Sequence, residues 1–144
     1  MTFPYFIYTS TARIDAHSAQ ERSLRETSVR NNARDFLTGF LYREKDRFVQ
    51  FVEGPALFLM GLENRLRCDP RHSDMKVLRR GTLQERAFPD WQMAFFDTSQ
   101  FALSPFLNIE NRKSRLSDLE VDHLIRMMIA NSDHARYRQN LRSA

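Results

Sequence analysis

The chain has 144 residues, 42% of them apolar, and a formal net charge of +4 from 22 basic and 18 acidic side chains. This length predicts one domain with a substantial core, and only 4 glycines and 5 prolines exclude a fibrous or disordered chain. The modest positive charge permits binding of an anion or a nucleic acid without requiring it.

Cysteine content and apolar runs indicate the compartment. The single cysteine, Cys68, excludes an intramolecular disulfide. The first ten residues, "MTFPYFIYTS", lack the basic region and the cleavage site of a signal peptide. No apolar run approaches the roughly 18 residues that span a membrane. We therefore expect a soluble cytoplasmic protein.

The first half of the chain predicts a strand, a helix and a hairpin. Residues 4–10 have the alternation of a strand, and the highly charged stretch 15–33 is typical of a surface helix. The hairpin pairs 38–44 with 47–53, and a Gly-Pro pair ends it. The order to this point is β-α-β-β.

The second half repeats the helix and adds two strands. Residues 56–68 carry apolar side chains every four positions, which predicts a helix, and 75–83 and 91–96 have strand patterns. The order β-α-β-β-α-β plus a fifth strand predicts an α+β fold of the ferredoxin-like type. We expect two helices on one face of an antiparallel sheet, with the first and third strands side by side at its centre.

A C-terminal extension, 98–144, follows the predicted domain 1–97. A connector at 104–114 leads into a helix over 115–132, and the last dozen residues predict a short, frayed helix. The third strand is apolar on both faces, whereas a sheet with one wet face alternates. The C-terminal helix, alone or with a second subunit, is expected to cover the second face with Leu119, Leu124, Ile125 and Met128.

The first helix carries a half-polar stripe. Leu24, Ser28 and Asn32 recur at i, i+4 and i+8, with Thr27 and Asn31 beside them. Hydroxyls and amides cannot pack against a dry sheet without partners. Two interpretations remain: the asparagines end the helix, or the stripe faces a flat polar ligand.

The third strand holds one polar residue among apolar ones, Gln50. A buried amide must satisfy two N–H donors and a carbonyl acceptor or lose stability. The period of two places Gln50 on the face of Phe48 and Val52, and Tyr8 in the adjacent strand can share that face. Either a Tyr–Gln hydrogen bond fills the space, or both side chains meet a ligand together with the helical stripe.

Other chemistries have little support in the sequence. The four histidines match no zinc spacing, and no phosphate-binding, dinucleotide-binding or serine-hydrolase motif is present. Glu53 and Asp69 lie at the ends of predicted elements, where we expect solvated charges. No catalytic acid–base group stands out, so we predict that the chain is not an enzyme.

RNA binding is the alternative function. The β-α-β-β-α-β order is also that of the RNA recognition motif, and "RFVQF" matches its F-V-x-F core. The upstream glycine of that motif is missing, and both sheet faces are predicted to be covered, whereas bases need an open face for stacking. Binding of nucleic acid is therefore the weaker hypothesis.

Five stretches in order resemble the BLUF domain, a blue-light sensor that uses FAD. They read "FIYTS", "SVRNNARDFLTGFLYR", "RFVQFVEG", "LENRLRCDPRH" and "RAFPDWQM". The resemblance rests on the ordered combination of R-N-N, T-G-x-L, F-x-Q-x-x-E-G, D-x-R-H and W-x-M. It spans about residues 5 to 96.

The resemblance implies FAD with its isoalloxazine ring between the two helices and its polar edge toward the sheet. It implies a photoactive pair, Tyr8 and Gln50, with Trp91 and Met93 on the last strand competing for the place near Gln50. The cofactor-binding residues that it implies are Tyr8, Leu24, Ser28, Asn31, Asn32, Gln50, Arg65 and Leu66.

Individual roles follow from the same resemblance. Asn32 is implied to bond the ring's carbonyl–imide edge, Leu24 and Leu66 to sandwich the ring, and Arg65 to meet the phosphates. Light is implied to drive electron and proton transfer from Tyr8, to rearrange the glutamine and to shift the flavin spectrum to the red. We expect output through a downstream signalling protein or a homo-oligomer, most simply a dimer.

Overall fold

The computed structural model describes residues 1–102 and 117–143, with side chains given up to residue 132. The predicted connector at 104–114 lies outside these ranges. Within them, no helix has both the length and the apolarity to cross a membrane. The elements in chain order are β1 Phe3–Ala12, α1 Ala19–Arg34, β2 Thr38–Glu44, β3 Arg47–Glu53, α2 Ala56–Cys68, β4 His72–Leu83, β5 Ala94–Asp97 and α3 Asp118–Ser143.

One five-stranded sheet organises the described residues, in the order β4-β1-β3-β2-β5. Neighbouring strands are antiparallel except β2 and β5, which run parallel. The α+β, ferredoxin-like prediction is confirmed, and β1 and β3 are neighbours as expected. The fifth strand makes the sheet mixed rather than purely antiparallel.

The bounds of α1 differ from the prediction at both ends. The helix begins at Ala19 rather than at residue 15 because Ser18 caps it, accepting a 3.2 Å bond from the Glu21 N–H. His17 has a φ of 60°, which is incompatible with a right-handed helix. The helix continues to Arg34, so the interpretation that the asparagine pair ends it is wrong.

The last strand was also placed too early. It begins at Ala94, so Trp91 and Met93 lie in the loop that precedes it. β1 and β4 extend beyond their predicted starts, because their antiparallel pairing reaches from Phe3–Leu83 to Ala12–His72. Local patterns do not reveal that extension, since it depends on the partner strand.

In the described part of the chain, α3 covers the back face of the sheet, as expected for the C-terminal helix, and it runs on without a break to Ser143, where a separate short, frayed helix was predicted for the last dozen residues. Val121, Leu124 and Met128 recur at i, i+3 and i+7 and are buried in one cluster with residues of β1, β2 and β3. Leu119, predicted to face the sheet, is 63% exposed because it falls outside this stripe. Ile125 is half-buried at its edge.

The front face carries two separate apolar clusters. One lies under α2 and comprises Phe6, Tyr8, Leu37, Val52 and Leu59. The other lies under α1 and comprises Ala12, Leu41, Phe48 and Met93. Because the clusters do not merge, a gap runs over the middle of the sheet.

Polar contacts tie the two helices to opposite halves of the sheet. Glu21 of α1 accepts a 2.7 Å bond from Arg43 of β2, and both side chains are buried. Glu63 of α2 pairs with Arg80 of β4, whose guanidinium lowers the pKa of that carboxyl to about 2. These ties lie at the sheet's flanks, so they hold the gap open between the helices.

Glu53 is not the solvated charge that its position at the end of β3 predicted. It is fully buried and accepts bonds from Thr38 Oγ1 (2.9 Å), Ala87 N (2.7 Å) and Phe88 N (2.8 Å). Burial raises its pKa, and these three donors oppose that rise. The sequence prediction was wrong because the loop after β4 folds back onto the strand end.

Gly39 supplies a test of the central pairing. A Cβ at this position of β2 would lie 2.1 Å from the Phe51 carbonyl oxygen, whereas one at Gly61 of α2 would come no closer than 3.5 Å to Arg65. We expect Gly39→Ala to lower the free energy of unfolding by about 1–3 kcal/mol through overpacking. The control Gly61→Ala should raise it by about 0.5–1 kcal/mol. Urea unfolding measures the free energy of unfolding of both variants. Equal changes in the two variants would contradict the close approach of Gly39 to the Phe51 carbonyl.

Candidate functional site

A cavity of about 130 Å³ opens between α1 and α2, above β1 and β3. Every cofactor-binding residue implied by the resemblance lines it, which places residues from four elements around one space. Its lining residues are Tyr8, Leu24, Thr27, Ser28, Asn31, Asn32, Leu41, Phe48, Gln50, Leu62, Arg65, Leu66, Asp69, Arg71 and His72.

Tyr8 and Gln50 meet on the floor of this cavity. They are directly paired across β1 and β3, and the Tyr8 hydroxyl donates to Gln50 Oε1. Burial raises the pKa of Tyr8, and the Asp69 carboxylate adds to the rise, so the hydroxyl keeps its proton. The two interpretations left open by the spacing therefore coexist: the Tyr–Gln hydrogen bond is present, and the pair also faces a cavity.

The amide nitrogen of Gln50 faces Met93. Gln50 Nε2 donates toward Met93 Sδ at 3.8 Å, and Met93 is buried in the front-face cluster under α1. Trp91 instead packs against the back-face cluster. Of the two candidates for the place near the glutamine, the structure puts Met93 there. A thioether is a weak acceptor, so this contact is the weaker of the two that Gln50 makes.

The half-polar stripe of α1 lines the opposite wall. Asn32 is buried and donates through Nδ2 to the Gln92 carbonyl at 2.7 Å. Among the residues with described side chains, Ser28 and Asn31 have no side-chain hydrogen-bond partner. Their hydroxyl and amide are therefore available to a ligand in the cavity.

Asp69, Arg71 and His72 form a polar group at one end of the cavity. The sequence reasoning did not assign this group to the site. Asp69 would have a raised pKa through burial, but its bonds to Arg71 lower it overall. His72 reaches the Leu66 carbonyl with Nε2 (2.6 Å) and Ser10 Oγ with Nδ1 (2.8 Å). Because a carbonyl only accepts, Nε2 carries the hydrogen. The D-x-R-H stretch was the signal for this group.

The lining suits a flat ring with a polar edge and an anionic tail. Leu24 and Leu66 present apolar side chains from opposite helices, while Gln50 and Asn32 present amides toward the middle. Arg65, half-exposed and 3.5 Å from Asp35, adds a positive charge at the rim. In the described part of the chain, no group of three or more His, Cys, Asp or Glu side chains is placed to hold a metal ion.

Fold and site together define a small α+β ligand-binding domain with a buried Tyr–Gln pair at the ligand cavity. The sequence profile of the BLUF family, described as sensors of blue light using FAD, matches residues 4–94. The chain belongs to this family, and FAD is its cofactor. It is 31% identical over 105 residues to the photoactivated adenylate cyclase subunit beta of Euglena gracilis, covering 72% of this chain and 12% of that protein.

Solved structures agree with this assignment. The dark-state structure of BlrB, a BLUF protein, superposes with a TM-score of 0.76 at 28% identity, covering 89% of this chain and 96% of that one. Klebsiella pneumoniae BlrP1 with FMN and cyclic diGMP gives 0.66 at 26% identity, covering 94% and 36%. The fold of the described residues is thus that of a BLUF domain.

The environment of Tyr8 predicts its titration. The folded-state pKa of Tyr8 is raised above the unfolded value of about 10. The free energy of unfolding gains its full contribution from this shift below about pH 10 and loses it as the pH rises through the folded-state pKa. In ¹³C NMR with Cζ-labelled tyrosine, the Tyr8 resonance, assigned by its loss in Tyr8→Phe, should stay at the phenol position to about pH 11. Movement at or below pH 10 would contradict the burial argument.

Proposed function

We propose that the Tyr8–Gln50 hydrogen bond is the light-operated switch of this FAD-based blue-light sensor. The observation that carries the proposal is a two-sided amide: Gln50 accepts from Tyr8 through Oε1 and donates toward Met93 through Nε2. Both side chains face the cavity that the apolar and polar walls shape for a flat ring.

Different residues of the cavity would contact different parts of FAD. Leu24 and Leu66 would contact the faces of its ring, Asn32 its polar edge, and Arg65 its phosphates, with Ser28 and Asn31 as further polar neighbours. The bound flavin supplies blue-light absorption and an electron acceptor once excited.

The chain's own residues supply the hydrogen-bond change. Tyr8 holds a phenolic proton next to the Gln50 oxygen, and its raised pKa keeps that proton in place before illumination. Gln50 carries a donor and an acceptor at similar positions, so rotation or tautomerisation exchanges what its two neighbours meet. The Met93 contact is lost or re-formed in that exchange, which passes the change to the loop before β5.

Substitution of the glutamine tests this proposal. We expect Gln50→Leu to bind FAD and to lose the reversible red shift under blue light, because leucine keeps the volume without the hydrogen bonds. Tyr8→Phe should bind FAD and form no lit state. Gln84→Leu, an exposed glutamine replaced in the same way, should shift like the wild type. Absorption spectra before and after illumination give the result, and a normal shift in Gln50→Leu would remove the glutamine from its role.

The RNA-binding alternative has no support in the fold. Phe48 and Val52 are buried under the front helices, while Val49 and Phe51 lie in the back-face cluster with α3. Within the described residues, neither sheet face is open for base stacking. We also propose that the chain catalyses no reaction of its own, because BLUF domains are photosensors.

For the output, we propose a cytoplasmic sensor that acts on a downstream protein and forms a homodimer. Residues 1–97 would form the light-sensing unit and 98–144 the extension. The chain's own α3 covers the back face, so association through that face would require α3 to move. Exposed apolar side chains that support association elsewhere are Phe36, Leu57, Met60 and Leu119.

Light scattering tests the assembly. A dimer should have about twice the 17.1 kDa mass of the single chain, in the dark, in the light or in both. Leu57→Glu, which puts a charge on the exposed face of α2, should lower that mass if this face takes part, whereas Glu85→Gln should not. A mass of one chain in both light conditions would contradict the dimer.

A further inference from the structure

Glu53 has a binding arrangement that the light-sensing pair does not explain. It lies on β3 three residues beyond Gln50, its side chain is fully buried, and its carboxylate is directed to the back of the sheet. Oε1 accepts from Ala87 N at 2.7 Å, and Oε2 accepts from Phe88 N at 2.8 Å. Backbone N–H bonds to an ionised carboxylate are charge-assisted and strong.

The residues that Glu53 holds begin a stretch that ends beside Gln50. We call residues 87–93 the connecting segment. Phe88 lies in the back-face cluster, where its ring meets Phe51 edge-on at 5.1 Å. The segment then passes to the front face, where Met93 lies against Gln50. One strand, β3, therefore holds both ends of the connecting segment.

Two further bonds fix the middle of the connecting segment. The Trp91 carbonyl accepts from Gly39 N at 3.1 Å, and the Gln92 carbonyl accepts from Asn32 Nδ2 at 2.7 Å. The contacts at the two ends of the segment differ in strength. At the Glu53 end, backbone N–H groups donate to a carboxylate, which makes strong bonds, whereas at the Met93 end an amide N–H meets a sulfur, which is a weak acceptor. The carboxylate bonds hold the start of the segment, the bonds to Trp91 and Gln92 hold its middle, and the sulfur contact at its end is the weakest of them.

We propose that Glu53 is a positioning residue of the light-sensing site: by holding Ala87 and Phe88 it keeps Met93 Sδ against Gln50 Nε2. The inference rests on the proposed function in one respect, that Gln50 is the switch. Thr38 completes the anchor by donating to Oε2 at 2.9 Å, and Arg86 donates to the same Thr38 hydroxyl at 3.0 Å.

A carboxylate is required at this position. Both oxygens of Glu53 accept from a backbone N–H, so a glutamine must turn its NH₂ group toward one of these donors. That substitution removes one hydrogen bond and places two donors in opposition, with almost no change in volume. Glu53→Gln is therefore the variant that loosens the anchor without opening a cavity.

Dark-state NMR of the FAD-loaded protein tests the proposal without any photochemistry. In the wild type we expect a cross-peak between the Gln50 side-chain amide and the Met93 methyl group. Glu53→Gln should weaken this cross-peak relative to the wild type, because the loss of one buried hydrogen bond lets Met93 leave the Gln50 amide for part of the time. An unchanged cross-peak in a folded Glu53→Gln protein would overturn the proposal.

Ile7→Val is the control for general destabilisation. Ile7 is buried in the back-face cluster on β1, and removing one methyl group lowers stability while every hydrogen bond of the connecting segment keeps both of its partners. This variant should keep the wild-type cross-peak. An equal loss of the cross-peak in both variants would show that Glu53 only contributes stability.

If Glu53→Gln does not fold, Thr38→Val is the second variant. It removes one donor to the same carboxylate and should weaken the cross-peak, and an unchanged cross-peak in Thr38→Val would also overturn the proposal.

A double-mutant comparison of dark recovery separates this inference from the proposed function. Because Glu53 acts through Met93, Glu53→Gln should change the recovery rate constant in the wild type and leave it unchanged in a Met93→Ala background. Equal changes in both backgrounds would overturn the positioning role. A protein without any light-induced red shift would refute the proposed function, and the dark cross-peak would still decide the role of Glu53.

Discussion

The rest of the site depends on the requirement that a buried amide be satisfied at both of its ends. Gln50 lies between two apolar clusters, where an unpaired donor or acceptor costs about 1–3 kcal/mol. Tyr8 satisfies its oxygen, and Met93 partly satisfies its nitrogen. This requirement fixes the register of β1 against β3, because a slip of one residue would turn Tyr8 to the back face. The proposed switch pair and the sheet register therefore depend on the same constraint.

A second constraint keeps the helices apart. Apolar side chains under α1 and α2 form separate clusters, and a dry pair of helices would close over the strip between them. The Glu21–Arg43 and Glu63–Arg80 pairs anchor each helix to its own flank of the sheet. The strip facing the gap is polar on α1, so closure would bury hydroxyls and amides without partners. The cavity therefore results from the positions of the two ion pairs and of the polar strip on α1, as well as from the packing of the apolar clusters.

The connecting segment, residues 87–93, links the back face of the sheet to its front face. Its first residues belong to the back-face core beneath α3, and its last residue contacts Gln50, which lines the cavity. Strong bonds hold the segment at Glu53, and the weak sulfur contact lies beside Gln50, where the proposed switch would act. In the proposed switch, this difference in strength would let a hydrogen-bond rearrangement of a few atoms alter the packing of the segment while the core stays intact.

Local periodicity in the sequence determined the elements and their order. Strand alternation placed Gln50 and Tyr8 on one face, helical spacing gave the bounds of α2 and the half-polar stripe of α1, and the motif order indicated the family. The burial of Glu53, the place of Met93 rather than Trp91 beside the glutamine, and the Asp69–Arg71–His72 group at the cavity were decided only by the tertiary structure. The physical reason is the range of the interactions involved. A side chain's face follows from its immediate neighbours in sequence, whereas its hydrogen-bond partner here comes from a loop some 35 to 43 residues away.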